Sequence, residues 1–156
     1  MSGEIEARLR ERGIELPTVA APQGAYVPYT FAGNLIFLAG QLPMWDGQVQ
    51  ITGKVGGDIS LEEGQRAARL CGLNLVAQVK QALGGDLDRV ARVVNLKGFV
   101  NCPSDYTMQP KVVNGASHLM AEIFGETVGQ HSRSAVGAGS LPLNIAVEVE
   151  GIVAFS

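Results

Sequence analysis

A helical pattern of apolar positions runs through residues 61–82. The apolar side chains on one face of this segment recur at spacings of three, four or seven: Leu61, Ala68, Cys71, Leu75, Val79 and Ala82. Ser60 and Glu63 form a capping-box pattern at its start, in which the Ser60 hydroxyl accepts the Glu63 amide and the Glu63 carboxylate reaches the Ser60 amide. Gly84 fits the position after the last turn. The segment is therefore predicted to be a long amphipathic helix that buries one face.

Two more segments have helical spacing. Residues 106–124 carry apolar positions three and four residues apart, and Gly125 is placed to end a helix there. Residues 2–13 predict a short N-terminal helix, with Ser2 as its cap and Gly13 at its C-terminal end. The rest of the chain has to supply the strands.

The first strand signals are short apolar runs. Residues 26–31 and 35–39 predict a hairpin that turns at Gly33 and Asn34. Residues 35–39 are apolar without alternation, which is typical of a strand buried on both faces. Residues 44–58 are rich in glycine and are interpreted as loop.

Three further strands are predicted at residues 90–100, 133–137 and 145–154. The order of elements is then ββαβαββ, without repeats or a linker. This order predicts one α+β domain over residues 1–156, with residues 1–21 as an N-terminal extension, and a mixed sheet with the two main helices packed on one face. The sequence offers no helix for the other face, so a second subunit is its simplest cover.

Composition narrows the range of functions. Charged residues make up 17% of the chain and hydrophobic residues 46%. Typical soluble domains carry about 25% charged residues, and the deficit favours an oligomer. The net charge of −3 and the aromatic content of 6% disfavour nucleic acid as a partner, because nucleic-acid binding proteins usually present a basic stripe and aromatic side chains for stacking.

The cysteines and the apolar runs indicate a cytoplasmic protein without a membrane partner. Cys71 and Cys102 do not form a CxxC motif, and no signal peptide is recognised, so we expect free, reduced thiols. Every apolar run is far shorter than a membrane span.

Common catalytic and metal-binding patterns do not occur. His118 and His131 are the only histidines, and neither belongs to a recognised zinc spacing, so both are interpreted as ordinary side chains. The chain has no GxSxG motif. Residues 53–57 are glycine-rich but lack the GK[ST] of a phosphate-binding loop. We therefore expect neither a metal nor a bound phosphate.

Paired carboxylates lie on the last predicted strand. Strand side chains alternate, so Glu148 and Glu150 share one face while Val147 and Val149 occupy the other. Two like charges on one face are unfavourable unless that face is hydrated or meets a cation. Either the strand has a solvated acidic edge, or the acidic face belongs to a site.

The motifs, taken together in their order, resemble the RidA/YjgF family of enamine/imine deaminases. These motifs are Gly-Ala-Tyr at 24–26, the second strand at 33–37, Gly-Gln-Leu-Pro at 40–43, Asn114, Arg-Ser-x-Val at 133–136, Leu-Pro at 141–142 and Val-Glu-Val-Glu-x-Ile at 147–152. The resemblance covers residues 22–155.

The resemblance implies a fold, an assembly and a reaction. The fold is chorismate-mutase-like, and the assembly is a homotrimer with three clefts between subunits. The reaction is cofactor-independent hydrolysis of reactive 2-enamines and 2-imines, such as 2-aminoacrylate, to 2-oxo acids and ammonia. The implied partners are the small-molecule substrate and further copies of the same chain.

The resemblance also implies a role for individual residues. Arg133 would hold the substrate carboxylate, because a guanidinium makes a planar two-point contact with it. Glu148 would position water and transfer protons. The Tyr26 hydroxyl would bond the substrate or the water, Asn114 would support the cleft, and backbone amides near Ala135 would bind the carboxylate or water.

Some positions depart from the family pattern. Ala135 stands where the family usually has cysteine, and Ala39 where it usually has serine or threonine. The extension at 1–21 and the longer segment between Asn114 and Arg133 also differ, which indicates a divergent subgroup. Two other functions therefore stay open: non-catalytic binding or sensing of a small carboxylate metabolite, and the RNA-cleaving or translation-inhibiting activity claimed for some relatives.

Overall fold

The computed structural model describes residues 3–19 and 21–156, and its main feature is a five-stranded sheet. The helices are α1 Glu4–Glu11, α2 Leu61–Ala82 and α3 Gln109–Val128, and the strands are β1 Tyr29–Ala32, β2 Leu35–Gln41, β3 Met44–Trp45, β4 Gln48–Val49, β5 Val90–Asn101, β6 Ser132–Ala138 and β7 Val147–Phe155. The sheet has the strand order β1-β2-β7-β5-β6. Only β5 and β6 pair in parallel, so the sheet is mixed.

The core lies between one face of this sheet and the pair α2 and α3. Ile36 and Leu96 enter it from the sheet, Leu75 from α2, and Leu119 and Ile123 from α3, and each is at most 1% exposed. Burying a side chain of this size stabilises the fold by about 1.5–3 kcal/mol. The predicted α+β architecture, with two main helices on one face of a mixed sheet, is confirmed.

The two long helices approach closely because Gly115 has no side chain. A Cβ atom at Gly115 would lie 2.1 Å from the Gln65 carbonyl oxygen on α2. Glycine at this position lets the helix backbones approach each other.

None of the helices in residues 3–19 and 21–156 is long and apolar enough to cross a lipid bilayer.

The N-terminal helix is capped from elsewhere in the chain. The Asp88 carboxylate accepts the backbone N–H groups of Glu4 (3.0 Å) and Ile5 (2.9 Å). Ser2, the cap predicted from the sequence, lies outside the described residues. Gly13 follows the helix with a φ of +64°, as predicted for its C-terminal end.

The start of α2 confirms half of the predicted capping box. The Ser60 Oγ accepts the Glu63 N–H at 3.1 Å. The Glu63 carboxylate does not return to the Ser60 amide as predicted, since it accepts the Ser60 hydroxyl at 3.4 Å. One of the free amides at the start of the helix is thereby satisfied.

Ser60→Ala is expected to lower the free energy of unfolding by about 0.5–2 kcal/mol, because it leaves that amide without an acceptor from the chain. Chemical denaturation of the two proteins measures the difference. An unchanged denaturation midpoint would show that the cap contributes nothing to stability.

The second long helix differs from its prediction at both ends. It begins at Gln109 and not at residue 106, with Pro110 in its first turn. Proline lacks an amide hydrogen and is tolerated only in the first turn of a helix, so an earlier start would place Pro110 in the interior. Gly125 leaves the helical conformation (φ 86°, ψ 168°), but a last turn continues to Val128.

The prediction that residues 35–39 are buried on both faces is wrong for the single chain. Ile36 and Leu38 are buried against the helices, whereas Phe37 points the other way and is 40% exposed. The helices cover one side only, so the opposite side, here called the open face, has no cover within the described chain. The predicted loop at 44–58 also contains a short hairpin, β3–β4, around Asp46 and Gly47.

Candidate functional site

Arg133 lies on the edge strand β6, on the helix side of the sheet. Its register partner on β5 is the buried Leu96, so its side chain extends along α3. Arg133 Nη1 donates to Asn114 Oδ1 at 2.8 Å and to Ser117 Oγ at 3.1 Å, and Nη2 donates to the Pro110 carbonyl at 3.1 Å. Three acceptors on one helix therefore fix the plane of the guanidinium.

The guanidinium keeps hydrogen-bonding capacity after these contacts. Of its five N–H groups, Nε–H and one Nη2–H have no acceptor within residues 3–19 and 21–156, and no carboxylate there forms an ion pair with Arg133. Burial lowers the pKa of Arg133. A partly desolvated cation with unused donors is suited to bind an anion.

A groove of about 330 Å³ opens beside this arginine. Its lining residues are Asn114, Ser117, Ala121, Glu126, Gly129, Gln130, His131 and Arg133. Sites for small molecules commonly occupy about 300–1,000 Å³, so the groove has room for a small metabolite. Most of its side chains are polar, so it can hydrogen-bond a ligand at several points.

His131 also lines this groove, although it was interpreted from the sequence as an ordinary side chain. Its Nδ1 lies 2.7 Å from the Gly129 carbonyl oxygen and its Nε2 lies 2.9 Å from Ser117 Oγ. Burial lowers the pKa of His131, and the charge of Arg133 lowers it further, while the Gly129 hydrogen bond acts in the opposite direction. Its position two residues before Arg133 was the only available signal.

The paired carboxylates lie on the open face, as the alternation of the last strand predicted. Val147 and Val149 are fully buried, and the carboxylates point away from them. Glu148 is opposite Phe99 on β5, and Glu150 is opposite Lys97. The acidic face therefore looks out from the helix-covered core.

Gly40, in a bulge of β2, leaves space for the Glu148 side chain. Pairing between β2 and β7 shifts between Leu38 and Gln41, so two β2 residues stand opposite one residue of β7. A Cβ atom at Gly40 would lie 2.8 Å from the Glu148 carboxyl carbon. Burial raises the pKa of Glu148, and the neighbouring Glu150 raises it further, which suits a group that gains and loses a proton.

Tyr26 lies near the same open face, in the bend before β1. Its hydroxyl accepts the Gln23 amide at 3.0 Å, and its ring is 47% exposed. It borders a cavity of about 350 Å³ together with Lys97 and Glu150, and a smaller one together with Gly40. The tyrosine and the carboxylates thus share one side of the molecule.

The residues selected from the sequence fall into two groups within one chain. Arg133, Asn114 and Ala135 lie on the helix side of β6, where Ala135 is half-buried. Glu148 and Tyr26 lie on the open face. The structure does not bring the two groups into one cleft of a single chain, because the alternation of strand side chains separates them.

The two cysteines are buried and free, as expected. The Cys71 thiol donates to the Val147 carbonyl at 3.3 Å. Burial raises the pKa of Cys71, and the charge of Glu148 raises it further. Such a thiol is a poor nucleophile. Residues 3–19 and 21–156 contain no cluster of three His, Cys, Asp or Glu side chains that could hold a metal ion.

Comparison with known proteins assigns the family. The model of the YjgF/chorismate mutase-like family matches residues 6–153. Protein TCP17 of Trypanosoma cruzi is 48% identical over 152 residues, which are 97% of this chain and 94% of that protein. A protein of unknown function from Agrobacterium tumefaciens is 47% identical, with a TM-score of 0.90 over 97% of this chain and 92% of that one. An inferred endoribonuclease from Shewanella oneidensis is 38% identical, with a TM-score of 0.93 over 98% of this chain and 100% of that one. The chain therefore belongs to the YjgF/chorismate mutase-like family, the family that its motifs resemble.

Proposed function

We propose that the protein hydrolyses reactive 2-imino acids and their enamine tautomers to 2-oxo acids and ammonia, without a cofactor, at a site shared by two subunits of a homotrimer. The observation that carries this proposal is the hydrogen bonding of the Arg133 guanidinium. Its guanidinium is fixed by three acceptors on α3, has two unused N–H groups and has no carboxylate partner in the described chain.

The substrate carboxylate is the natural ligand for those unused donors. A small 2-imino acid carries a carboxylate next to its reactive carbon. Two N–H groups of a fixed, planar guanidinium hold a carboxylate in one orientation. Because β6 is an edge strand, backbone amides near Ala135 are available to help. Binding at this point places the imine carbon at a defined distance from the arginine.

The chemistry then requires one water molecule and a proton carrier. As the water oxygen adds to the imine carbon, Glu148 takes a proton from it, and it returns a proton to the nitrogen. In the resulting carbinolamine, Glu148 takes the remaining hydroxyl proton and passes a proton to the nitrogen as the carbon–nitrogen bond breaks, so that ammonia leaves and the 2-oxo acid remains. A carboxyl group with a raised pKa is suited to both proton transfers. The Tyr26 hydroxyl orients the water or the substrate nitrogen.

A second subunit is proposed to unite the two groups of residues. Arg133 and Asn114 would come from one subunit and Glu148 and Tyr26 from its neighbour. Large apolar side chains on the uncovered strands support such an interface, since Phe37 is 40% and Val136 48% exposed. Contiguous exposed apolar surface commonly marks a contact with another protein. The number of subunits follows from the resemblance noted above.

The protein is expected to sediment at about three times its chain mass of 16.4 kDa. Burial of the open face between subunits is the physical reason. Sedimentation equilibrium at micromolar concentration measures the mass directly. A monomer would contradict both the assembly and the shared site.

The reaction itself is tested by turnover. A pyridoxal-phosphate dehydratase generates 2-aminoacrylate in the cuvette, and formation of pyruvate is followed with and without the protein. Acceleration above the rate in buffer supports the deaminase. Binding of pyruvate without any acceleration would instead favour the metabolite-binding alternative, and cleavage of a single-stranded RNA in a parallel assay would favour the ribonuclease.

A further inference from the structure

We propose that His131 is a positioning residue for the carboxylate site: its neutral ring, acting through Ser117, holds the Arg133 guanidinium in its binding orientation. The proposal rests on the proposed function for the identity of the ligand, a small 2-oxo or 2-imino acid. It adds a residue that does not touch the ligand and a dependence of binding on pH.

The hydrogen-bond distances determine the tautomer of the ring. A carbonyl oxygen only accepts, so the 2.7 Å contact with the Gly129 carbonyl places the proton on Nδ1. In a neutral ring Nε2 then carries a lone pair. Ser117 Oγ, at 2.9 Å, must donate its hydrogen to that lone pair.

The orientation of the Ser117 hydroxyl follows from this arrangement. Its hydrogen points to His131, so its lone pairs are left for Arg133 Nη1, which donates to it at 3.1 Å. The chain of donors runs from Arg133 through Ser117 and His131 to the Gly129 carbonyl without a conflict. Each member satisfies the next, and hydrogen bonds in such a chain reinforce one another.

Protonation of His131 breaks this chain. Nε2–H can no longer accept, so the Ser117 hydrogen has to turn away and compete for space with the Arg133 N–H. A second positive charge also appears one hydroxyl group away from the guanidinium, and like charges at this distance repel. Both effects loosen Arg133 from its position on α3.

The charged groups around the ring are of both signs. Arg133 opposes protonation, and Arg92, which donates to the Gln130 carbonyl at 2.9 Å, adds positive charge nearby. Glu126, which carries the opposite charge, borders the same groove. Burial is the largest influence and lowers the pKa of His131 below its ordinary value of 6.5, so the ring is neutral at pH 7 and gains its proton only at lower pH.

A bound carboxylate exerts only a weak opposing effect. The unused donors are Nε–H and one Nη2–H, whereas Ser117 and Asn114 occupy Nη1. The ligand therefore meets a part of the guanidinium away from the ring, with the cation itself between the two. Its attraction for a protonated His131 is screened by Arg133 and by water.

Binding of pyruvate, measured by calorimetry between pH 5 and 8, tests the proposal without requiring turnover. Pyruvate stays ionised over this range, so its own charge does not change. The wild-type protein is expected to bind it more weakly at pH 5 than at pH 7.5, by up to about tenfold when His131 is fully protonated, as expected for loss of one hydrogen bond to a charged group. His131→Ala is expected to show the weaker binding at both pH values.

His131→Gln is the decisive variant, because it offers an uncharged amide oxygen to the Ser117 hydroxyl. We expect binding near the wild-type value at pH 7.5 and no loss at pH 5. His118→Gln is the matched control, since His118 is the only other histidine and is exposed. It should keep both the affinity and the pH dependence of the wild-type protein.

The outcomes separate this inference from the proposed function. Pyruvate binding that is unchanged in His131→Ala, or an acid loss that persists in His131→Gln, would overturn the role of His131 alone. Failure of the wild-type protein to bind pyruvate at any pH would overturn the carboxylate site as well. Thermal melting of each variant identifies a loss of binding that is due to unfolding.

Discussion

Arg133→Ala is expected to reduce kcat/KM for 2-imino acids by about 30- to several-thousand-fold, which corresponds to about 2–5 kcal/mol. The variant removes the two unused N–H groups that we propose to hold the substrate carboxylate. It also removes the partly buried cation that lines the groove. Turnover of 2-iminopropionate generated in situ measures the effect.

The fold is expected to survive this substitution. The acceptors that Arg133 leaves behind are Asn114, Ser117 and the Pro110 carbonyl, which are half-buried or exposed, so water can replace the guanidinium. A change of less than about 1 kcal/mol in stability is expected, because the loss of a hydrogen-bond partner is most destabilising where the remaining polar group is fully buried. Melting temperature and sedimentation are therefore measured on the same sample.

Arg133→Lys separates charge from geometry. Arginine has five N–H donors, of which three bind α3 and two remain for the ligand. Lysine has three donors and no planar fork, so it cannot satisfy α3 and the carboxylate together. We expect it to restore only a small part of the activity.

Arg69→Ala is the matched control, because Arg69 pairs with Glu122 on the helix layer, and it should retain full turnover. Normal turnover in Arg133→Ala would refute the carboxylate contact regardless of stability.

Local patterns in the sequence were sufficient to predict the helix α2 and the two faces of the strand β7. The Ser60 cap, the long α2 and the alternation of β7 depend on neighbours a few residues apart, and each is confirmed. The start of α3 was misjudged because the apolar stripe outweighed Pro110. Helical spacing alone does not reveal which residue first enters a helix; the missing proline amide does.

Sequence patterns did not predict the register between strands or which strand faces the chain covers. Residues 35–39 looked buried on both sides because an apolar run does not reveal which of its faces the chain itself covers. Likewise, Arg133 and Glu148 lie on opposite faces only because of the registers of β6 and β7 against β5. Such registers are set by long-range packing.

The candidate site was likewise predicted in part: residues within motifs were found, and residues outside motifs were missed. The family motifs brought Arg133 and Asn114 together, and the structure joins them at 2.8 Å. Ser117 and His131 carry no motif, and a lone histidine in a sequence is most often an ordinary surface or core residue. Their part in the groove depends on contacts between residues distant in sequence, in which Ser117 of α3 hydrogen-bonds both His131 and Arg133.

Glu148→Gln is expected to lower turnover by about 10²- to 10⁴-fold, the usual contribution of a positioned acid–base group. The same change is expected to stabilise the folded chain at neutral pH. The folded-state pKa of Glu148 is raised. At pH values between the unfolded and folded pKa, the Glu148 carboxyl therefore keeps its proton in the folded chain and has lost it in the unfolded chain. Stability therefore falls as the pH rises from the ordinary value of 4.5 through the raised folded value. Glutamine removes this loss, and thermal melts at pH 4 and 7 measure it.

Mixed assemblies of Arg133→Ala and Glu148→Gln chains then test whether the site is shared. Each homogeneous variant is expected to be nearly inactive. If Arg133 of one subunit works with Glu148 of its neighbour, random mixing leaves both groups intact at about a quarter of the interfaces, since each subunit there has even odds of being the suitable variant. Co-expression with two affinity tags isolates the mixed assemblies. Each mixed trimer has one intact site among its three interfaces, so its turnover should reach roughly a third of the wild-type value. A site confined to one subunit predicts no recovery, because every chain would carry one of the two defects. Recovery therefore requires that the groove at Arg133 and the carboxylate at Glu148, which lie on opposite sides of one sheet, meet across an interface.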